Sequence, residues 1–252
     1  NRLVQAIYIP RNLIKESIKR SELKQVGIYI LIGESNEELK NSIYIGEAEE
    51  CLKRIKQHNK KDFWTIAIAL ISKTNSFTKA HVKYLEYLSI ITASNVNRFK
   101  IENSAIPSKP FIPESMEADL LDNFDSIKIL TSTLGYPIFE SFDRNFEELI
   151  INSKGINAKG RYIEDGFLVL KGSEAMEKTS ESCNKYIIDI REQLISNNIL
   201  KFEQNKFIFN EDYIFKSPST SAGVVLGRAA NGWNEWKNKQ SKTLDELHRN
   251  KK

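Results

Sequence analysis

Tyr29, Tyr44, Arg54, His58 and Glu86 are side chains of the types that serve phosphate chemistry, and all lie within the first 86 of 252 residues. The stretch GIYILIGESNEELKNSIYIGEAEECLKRIKQH, residues 27–58, delivers the first four. Two short apolar runs each carry a tyrosine, a polar loop joins them, and a basic segment with Arg54 and His58 follows at once. Such a set suits phosphodiester cleavage: a water or phenolate is made nucleophilic, a phosphate is held, and developing negative charge is neutralised. Uncatalysed phosphate-ester hydrolysis is so slow that an enzyme must lower the barrier by about 20 kcal/mol. A general base contributes about 3 to 5 kcal/mol of this. A fixed guanidinium and a divalent metal must carry much of the rest by electrostatics. Tyrosine is an awkward base, with a free pKa of about 10, which a metal or Lys56 could lower. Which of Tyr29, Tyr44 and His58 takes the proton stays open.

The elements that must position these groups follow from periodicity. LVQAIYIP predicts a strand stopped by Pro10, and NLIKESIKRSELK a short helix. In the strand GIYILI, Ile28, Ile30 and Ile32 point one way and Tyr29 and Leu31 the other. In SIYIG, Ile43 and Ile45 oppose Tyr44. Paired as an antiparallel hairpin, the two strands bring both tyrosines out on one side of the sheet. EAEECLKRIKQH predicts a helix with Cys51, Leu52 and Ile55 as its apolar stripe, and places Arg54 and His58, four apart, on one face. FWTIAIALIS reads as a buried strand. FTKAHVKYLEYLSIITAS reads as a helix with Thr78 as N-cap and Val82, Leu85, Leu88 and Thr92 on its core side. Glu86 sits mid-helix among apolar neighbours, where a carboxylate needs a cation: a metal, or a lysine such as Lys83 or Lys79. His81, on the same helix, reads as a packing or surface residue.

These residues also form a recognisable pattern. Gly27-Ile28-Tyr29 and Tyr44-Ile45-Gly46 resemble the name-giving signature of the GIY-YIG nuclease superfamily, and Arg54, His58 and Glu86 follow in that family's order. The family also places an asparagine further on; Asn103 matches best, with Asn95 and Asn97 as rivals. The resemblance covers residues 1–105. It implies an α+β fold, with a small antiparallel three-stranded sheet flanked by helices, and a metal-dependent endonuclease. Glu86 would ligate Mg²⁺ or Mn²⁺ through oxygen, Arg54 would grip the scissile phosphate, and Tyr29 would be base or water-positioning group, assisted by Tyr44 and His58. YIGEAE, DFWTIAIALISK and FTKAHVKYLE resemble bacterial members that carry a trailing domain of unknown function. A setting in restriction, anti-phage defence or repair fits such an enzyme, and the sequence does not choose among them.

Beyond residue 105 the texture changes. Pro107, Pro110 and Pro113 mark a linker, followed by a helix from about Ser115 to Leu134 that breaks at Gly135 and Pro137, so 106–151 reads as linker and helix. Residues 152–252 read as a smaller C-terminal α+β domain: a hairpin turning at EDG, the amphipathic helix SCNKYIIDIREQLISNN, the strand pair ILKFEQNKFIFNEDYIF, a closing segment and the basic tail HRNKK. SPSTSAGVVLG and NGWNEW resemble the ending of the RAMA module of restriction and methylase proteins, which implies contact with DNA. Trp233 and Trp236 read either as a lid on a small core or as a base-stacking platform. Ser217-Pro218 reads as an N-cap with proline at the first helical position, leaving either a phosphate site or a tight packing turn.

The 252 residues, 40% hydrophobic, suffice for one large domain or two small ones. A net charge of +4 is compatible with a polyanionic partner, with Arg54 and Lys56 the first-unit candidates to meet it. Two cysteines far apart, Cys51 and Cys183, argue against a disulfide framework or zinc site and fit a cytoplasmic chain. No apolar run is long enough to span a membrane, and the opening NRLVQAIYIPRN is unlike a secretory leader. The expectation is a cytoplasmic endonuclease acting on nucleic acid, DNA favoured over RNA, with room for a second copy of the chain or a defence-system partner protein. The rivals are a nucleic-acid-binding protein on a nuclease scaffold with catalysis lost, and an RNA-directed nuclease.

Overall fold

The computed structural model describes residues 3–33, 40–141, 147–153, 155–164, 166–181 and 183–249. Most of the polar loop between the tyrosine strands, Asp165 of the EDG turn and the last residues of the basic tail lie outside these. The chain divides into two compact units, Asn1–Ser141 and Phe142–Lys252. Both mix helices with antiparallel sheet, an α+β fold. No described helix is long and apolar enough to cross a membrane.

The first unit is built on a five-stranded sheet in the order β1-β4-β2-β3-β5, with β1 Val4–Pro10, β2 Gly27–Gly33, β3 Ser42–Ala48, β4 Ile66–Ser72 and β5 Lys100–Ile101. The expected three-stranded antiparallel sheet is its centre, β4-β2-β3. β1 adds an antiparallel edge, and the two-residue β5 runs parallel to β3 over Ser42 and Ile43 only. Alternation sorts the side chains as expected: Ile28, Ile30, Ile32, Ile43 and Ile45 join one core layer, and Tyr29, Leu31 and Tyr44 the other. The segment expected as one helix over 12–24 is three short 3₁₀ turns. The reason is geometric. Its core anchors, Ile14 and Leu23, are nine residues apart, which a continuous α-helix would point to opposite sides.

α1, Cys51–Gln57, covers the tyrosine face, with Cys51, Leu52 and Ile55 buried as its spacing predicts. α2, Lys79–Val96, covers the opposite face. Thr78 caps it, accepting from the backbone N–H of His81, whose ring accepts from the N–H of Thr78. That accounts for His81. Leu88 and Thr92 are only partly covered, because α2 is buried on two sides: its stripe of Val82, Leu85 and Ser89 is joined by Tyr84, whose hydroxyl donates to Glu117 at 2.5 Å.

α3, Glu114–Thr133, corrects the expected domain boundary. Leu120, Phe124, Ile127 and Thr131 recur at helical spacing on one face, and with Ile112, Ile138 and Phe139 they complete the first unit's core. The stretch 106–141 is therefore part of the first unit and no linker.

The second unit holds a four-stranded antiparallel sheet, β12-β8-β7-β6, from β6 Leu149–Ser153, β7 Ile156–Ile163, β8 Gly166–Val169 and β12 Tyr213–Phe215. Beside it β10 Leu200–Glu203, β11 Lys206–Phe209 and β9 Glu174–Ala175 form a three-stranded sheet. The amphipathic α4, Lys185–Ser196, buries Ile187, Ile190 and Leu194. It also buries Arg191, whose guanidinium donates to the carbonyls of Met176, Glu177 and Val224. Those carbonyls satisfy a charge that would otherwise be costly to bury. α5, Pro218–Leu226, starts from the Ser217 cap with proline at its first position. α6, Gly232–Glu235, and α7, Leu244–His248, close the unit.

Candidate active site

The β2–β3 register sets Tyr29 opposite Gly46 and Leu31 opposite Tyr44. Tyr29 and Tyr44 are thus diagonal neighbours on one face, their ring centroids 6.2 Å apart. Gly46 shares that face, and its missing side chain is what the Tyr29 ring needs. A Cβ there would meet the Tyr29 hydroxyl at 2.4 Å and the ring carbon bearing it at 2.5 Å. The glycine of the second motif is the floor on which the tyrosine of the first one lies.

His58 begins the 3₁₀ turn that continues α1. Its Nε2 is 2.8 Å from the Tyr29 hydroxyl, and its ring is 4.8 Å from that of Tyr44. Burial, then the nearby charges of Lys61 and Arg54, depress His58 to about 4. Burial, then Tyr44, pushes the Tyr29 phenol well above its ordinary range, while Arg54 pulls the other way. Both groups are therefore neutral near pH 7, and the imidazole tautomer sets whether Tyr29 O–H donates to Nε2 or Nε2–H donates to the Tyr29 oxygen. Tyr29 is fully enclosed, whereas Tyr44 is half-buried with the Lys61 ammonium 4.5 Å over its ring. Lys61 is a cation the sequence reading missed; its presence beside the site was signalled only by its position three residues past His58. Lys56, which was expected there, is exposed and lies about 200° around α1 from Arg54.

Glu86 reaches the site from the other face of the sheet, at the edge of β3. Beyond Ile43 that edge has no strand neighbour among the described residues, and side chains take over its backbone groups. Asn103 Oδ1 accepts from the N–H of Ile45 at 3.0 Å, and Asn103 Nδ2 donates to the Ile45 carbonyl at 2.7 Å. One residue pair on, Glu86 Oε1 accepts from the N–H of Glu47 at 3.3 Å. Asn103 thus acts as a peptide group extending β5. Its rival Asn97 is the left-handed C-cap of α2.

Glu86 is half-buried, and burial followed by the neighbouring Glu47 carboxylate raises its pKa. Of the lysines that could have neutralised it, Lys79 pairs with Glu49 at 2.6 Å, and Lys83 acts only at a distance. Arg54, whose guanidinium donates to Gln57 at 2.9 Å, is felt by Tyr29, His58 and Glu86 alike. A cleft of about 460 Å³ opens beside it, lined by Glu47, Glu49, Glu50, Lys53, Arg54 and Lys79 among others; of the five site residues Arg54 lines it, and Tyr29, Tyr44, His58 and Glu86 do not. Tyr29, Tyr44, Arg54, His58 and Glu86 thus gather at one end of β3, with Asn103 bracing the strand.

The donor set can be weighed against a divalent metal. Among the described residues no group of three or more His, Cys, Asp or Glu is placed to hold a metal ion, so a cage of protein ligands is not on offer. A hard cation such as Mg²⁺ is commonly held by one or two carboxylates with water and phosphate oxygens. Glu86 fits that description: Oε1 has one long hydrogen bond, Oε2 has no partner among the described residues, and its charge is raised in energy by burial and by Glu47.

In the second unit Trp236 is not a stacking platform. It is fully buried, stacks on Phe167 at 4.4 Å and donates its indole N–H to Ser221 at 2.9 Å. Trp233 is half-buried under the guanidinium of Arg249, 3.4 Å from its ring centroid. The start of α5 is closed as well. A Cβ at Gly232 would lie 1.9 Å from the Pro218 carbonyl oxygen, so the chain packs directly over that end.

Residues 149–248 match the family model described as a domain of unknown function, DUF4357, and the match runs from the first residue of β6 to the last of α7. Comparison with curated proteins and with solved structures gives no match.

Proposed function

We propose that the first unit is a metal-dependent endonuclease that hydrolyses phosphodiester bonds, with DNA the favoured substrate. The observation that carries this is the meeting of the Tyr29–His58 hydrogen bond, the Tyr44 ring, Arg54 and the half-buried Glu86 at one end of β3. Arg54 would hold the scissile phosphate, its planar guanidinium matching two phosphate oxygens. Tyr44, the tyrosine with an open side, would orient the attacking water. Enclosed Tyr29 would fix the tilt of His58, which in turn packs against Tyr44. Mg²⁺ or Mn²⁺ would be held by Glu86 and, when bound, would stabilise the charge that builds on the phosphoryl oxygens. Asn103 would keep β3, and so Tyr44, in place.

A strand-cleavage assay on single- and double-stranded DNA and RNA, with and without Mg²⁺ or Mn²⁺, tests the proposal. Metal-dependent cleavage that Glu86→Gln abolishes is expected. No cleavage of any substrate by folded protein would overturn it.

The second reading is a nucleic-acid-binding protein without catalysis. One observation favours it: Tyr29 is enclosed and its phenol is held neutral, which does not suit a base. Binding without cleavage in the same assay selects it. For the second unit, contact with nucleic acid rests on the half-exposed Trp233 and Arg249, without Trp236. A DNA endonuclease with such a unit would fit restriction or anti-phage defence.

A further inference from the structure

The cleft has a cation that the proposed chemistry leaves unused. Lys79 is the first residue of α2, and its ammonium lies 2.6 Å from Oε1 of Glu49, in the turn between β3 and α1. Both residues line the same cleft as Glu47, Lys53 and Arg54. The ion pair therefore ties two different walls of that cleft together.

The electrostatics of this place call for an anion. The first turn of α2 holds no acidic residue, and Lys79 adds a positive charge where acidic residues ordinarily offset the helix dipole. The compensating anion comes from another element, as Glu49. The two side chains are 56% and 67% exposed, and an ion pair this open to water is screened and weakly held. A backbone phosphodiester presents acceptor oxygens and a single negative charge, as the carboxylate does, and can take its place at little cost.

We propose that Lys79 is a second phosphate-holding residue of the cleft, engaging a nucleic-acid backbone phosphate near the one held by Arg54, and that Glu49 keeps that place in the substrate-free chain. This rests on the phosphodiester reading of the site. On binding, Lys79 exchanges Glu49 for the phosphate, and Glu49 turns to solvent. No covalent bond changes. A lysine is a point charge on a flexible stem, so the contact adds affinity and register without base preference.

The test is fluorescence anisotropy of the full chain with a labelled DNA duplex, and with its single strand, in EDTA so that nothing is cut. Lys79→Gln should weaken binding roughly three- to tenfold and make the log–log salt dependence shallower by about 0.9 on duplex or about 0.7 on single strand. Glu49→Gln should tighten binding by a similar factor, because it frees Lys79. The combined Glu49→Gln/Lys79→Gln variant should bind like Lys79→Gln alone, a coupling that a double-mutant cycle reads directly. Glu50→Gln removes the same charge from the same cleft and should give a smaller gain. Additive effects, or equal gains from Glu50→Gln and Glu49→Gln, would mean a general charge effect and overturn the proposal. An unchanged salt dependence in folded Lys79→Gln overturns it too. If the wild type neither binds nor cuts any oligonucleotide, the nuclease reading falls and takes this inference with it. If the wild type binds and cuts but the Lys79 variants match it, this inference alone falls.

Discussion

The hydroxyl of Tyr29 and Nε2 of His58 stand 2.8 Å apart inside the protein, joining the middle of the sheet to the end of α1. Both are neutral near pH 7, and the imidazole resists protonation until about pH 4. An unfolded chain would protonate the same ring near 6.5. Between those values the unfolded state binds more protons, so stability is lost as pH falls through that window. Unfolding free energy from urea titrations should rise by at most about 3 kcal/mol from pH 4 to 6.5, and His58→Gln should flatten that rise. A His58→Gln profile with the wild-type slope would place the titration elsewhere.

Gly46→Ala should disturb Tyr29 before anything else, because the new methyl would lie 2.4 Å from its hydroxyl, well inside contact distance. Overpacking of this kind costs about 1 to 3 kcal/mol. Cleavage should fall further than stability does, since Tyr29 no longer fixes His58. Thermal unfolding together with a cleavage time course separates the two losses, and a fully active Gly46→Ala would deny Tyr29 its positioning role.

Glu86→Gln keeps an acceptor for the Glu47 N–H and removes a carboxylate that burial and Glu47 hold at raised energy. Stability should therefore stay level or rise, while metal-dependent cleavage disappears. Adding Mg²⁺ or Mn²⁺ should raise the melting temperature of the wild type and leave that of Glu86→Gln unchanged. Equal metal-induced shifts in both would remove Glu86 as the ligand.

Asn103→Ala would leave the N–H and carbonyl of Ile45 without their partner. An unpaired buried backbone group costs about 1 to 3 kcal/mol. Hydrogen exchange at the Ile45 amide should speed up sharply, ahead of exchange in β2. Unchanged protection at Ile45 would count against the brace.

Trp236→Ala should unfold the second unit or destabilise it by about 3 to 5 kcal/mol, the usual cost of deleting a buried aromatic. Trp233→Ala should cost far less, since that ring is half-exposed and faces Arg249. Circular dichroism melts of the two variants decide this.

What could be read in the sequence was what alternation and spacing encode. Tyr29 and Tyr44 on one sheet face, the Cys51–Leu52–Ile55 stripe and the Thr78 cap are consequences of local period. Depth was not encoded. The same GIY and YIG patterns leave Tyr29 enclosed and Tyr44 open, because α1 and the turn after it cover one ring more than the other. The role of Asn103 lies in a long-range contact with Ile45 that no spacing carries. α3 was visible as a helix, but its assignment to the first unit depends on which core it meets. Trp233 and Trp236, three residues apart, looked alike and are separated by burial alone.

The edge of β3 closed by Asn103 and Glu86 has a consequence for self-association. An open strand edge is a template on which another chain can add a strand, and β3 carries the apolar Ile43 and Ile45 beside it. Here the lock is made of side chains, one of which the proposed chemistry must also use. A ligand that drew Glu86 away from Glu47 would leave Asn103 alone to guard that edge, so substitutions at Asn103 should lower solubility most under conditions where Glu86 is engaged.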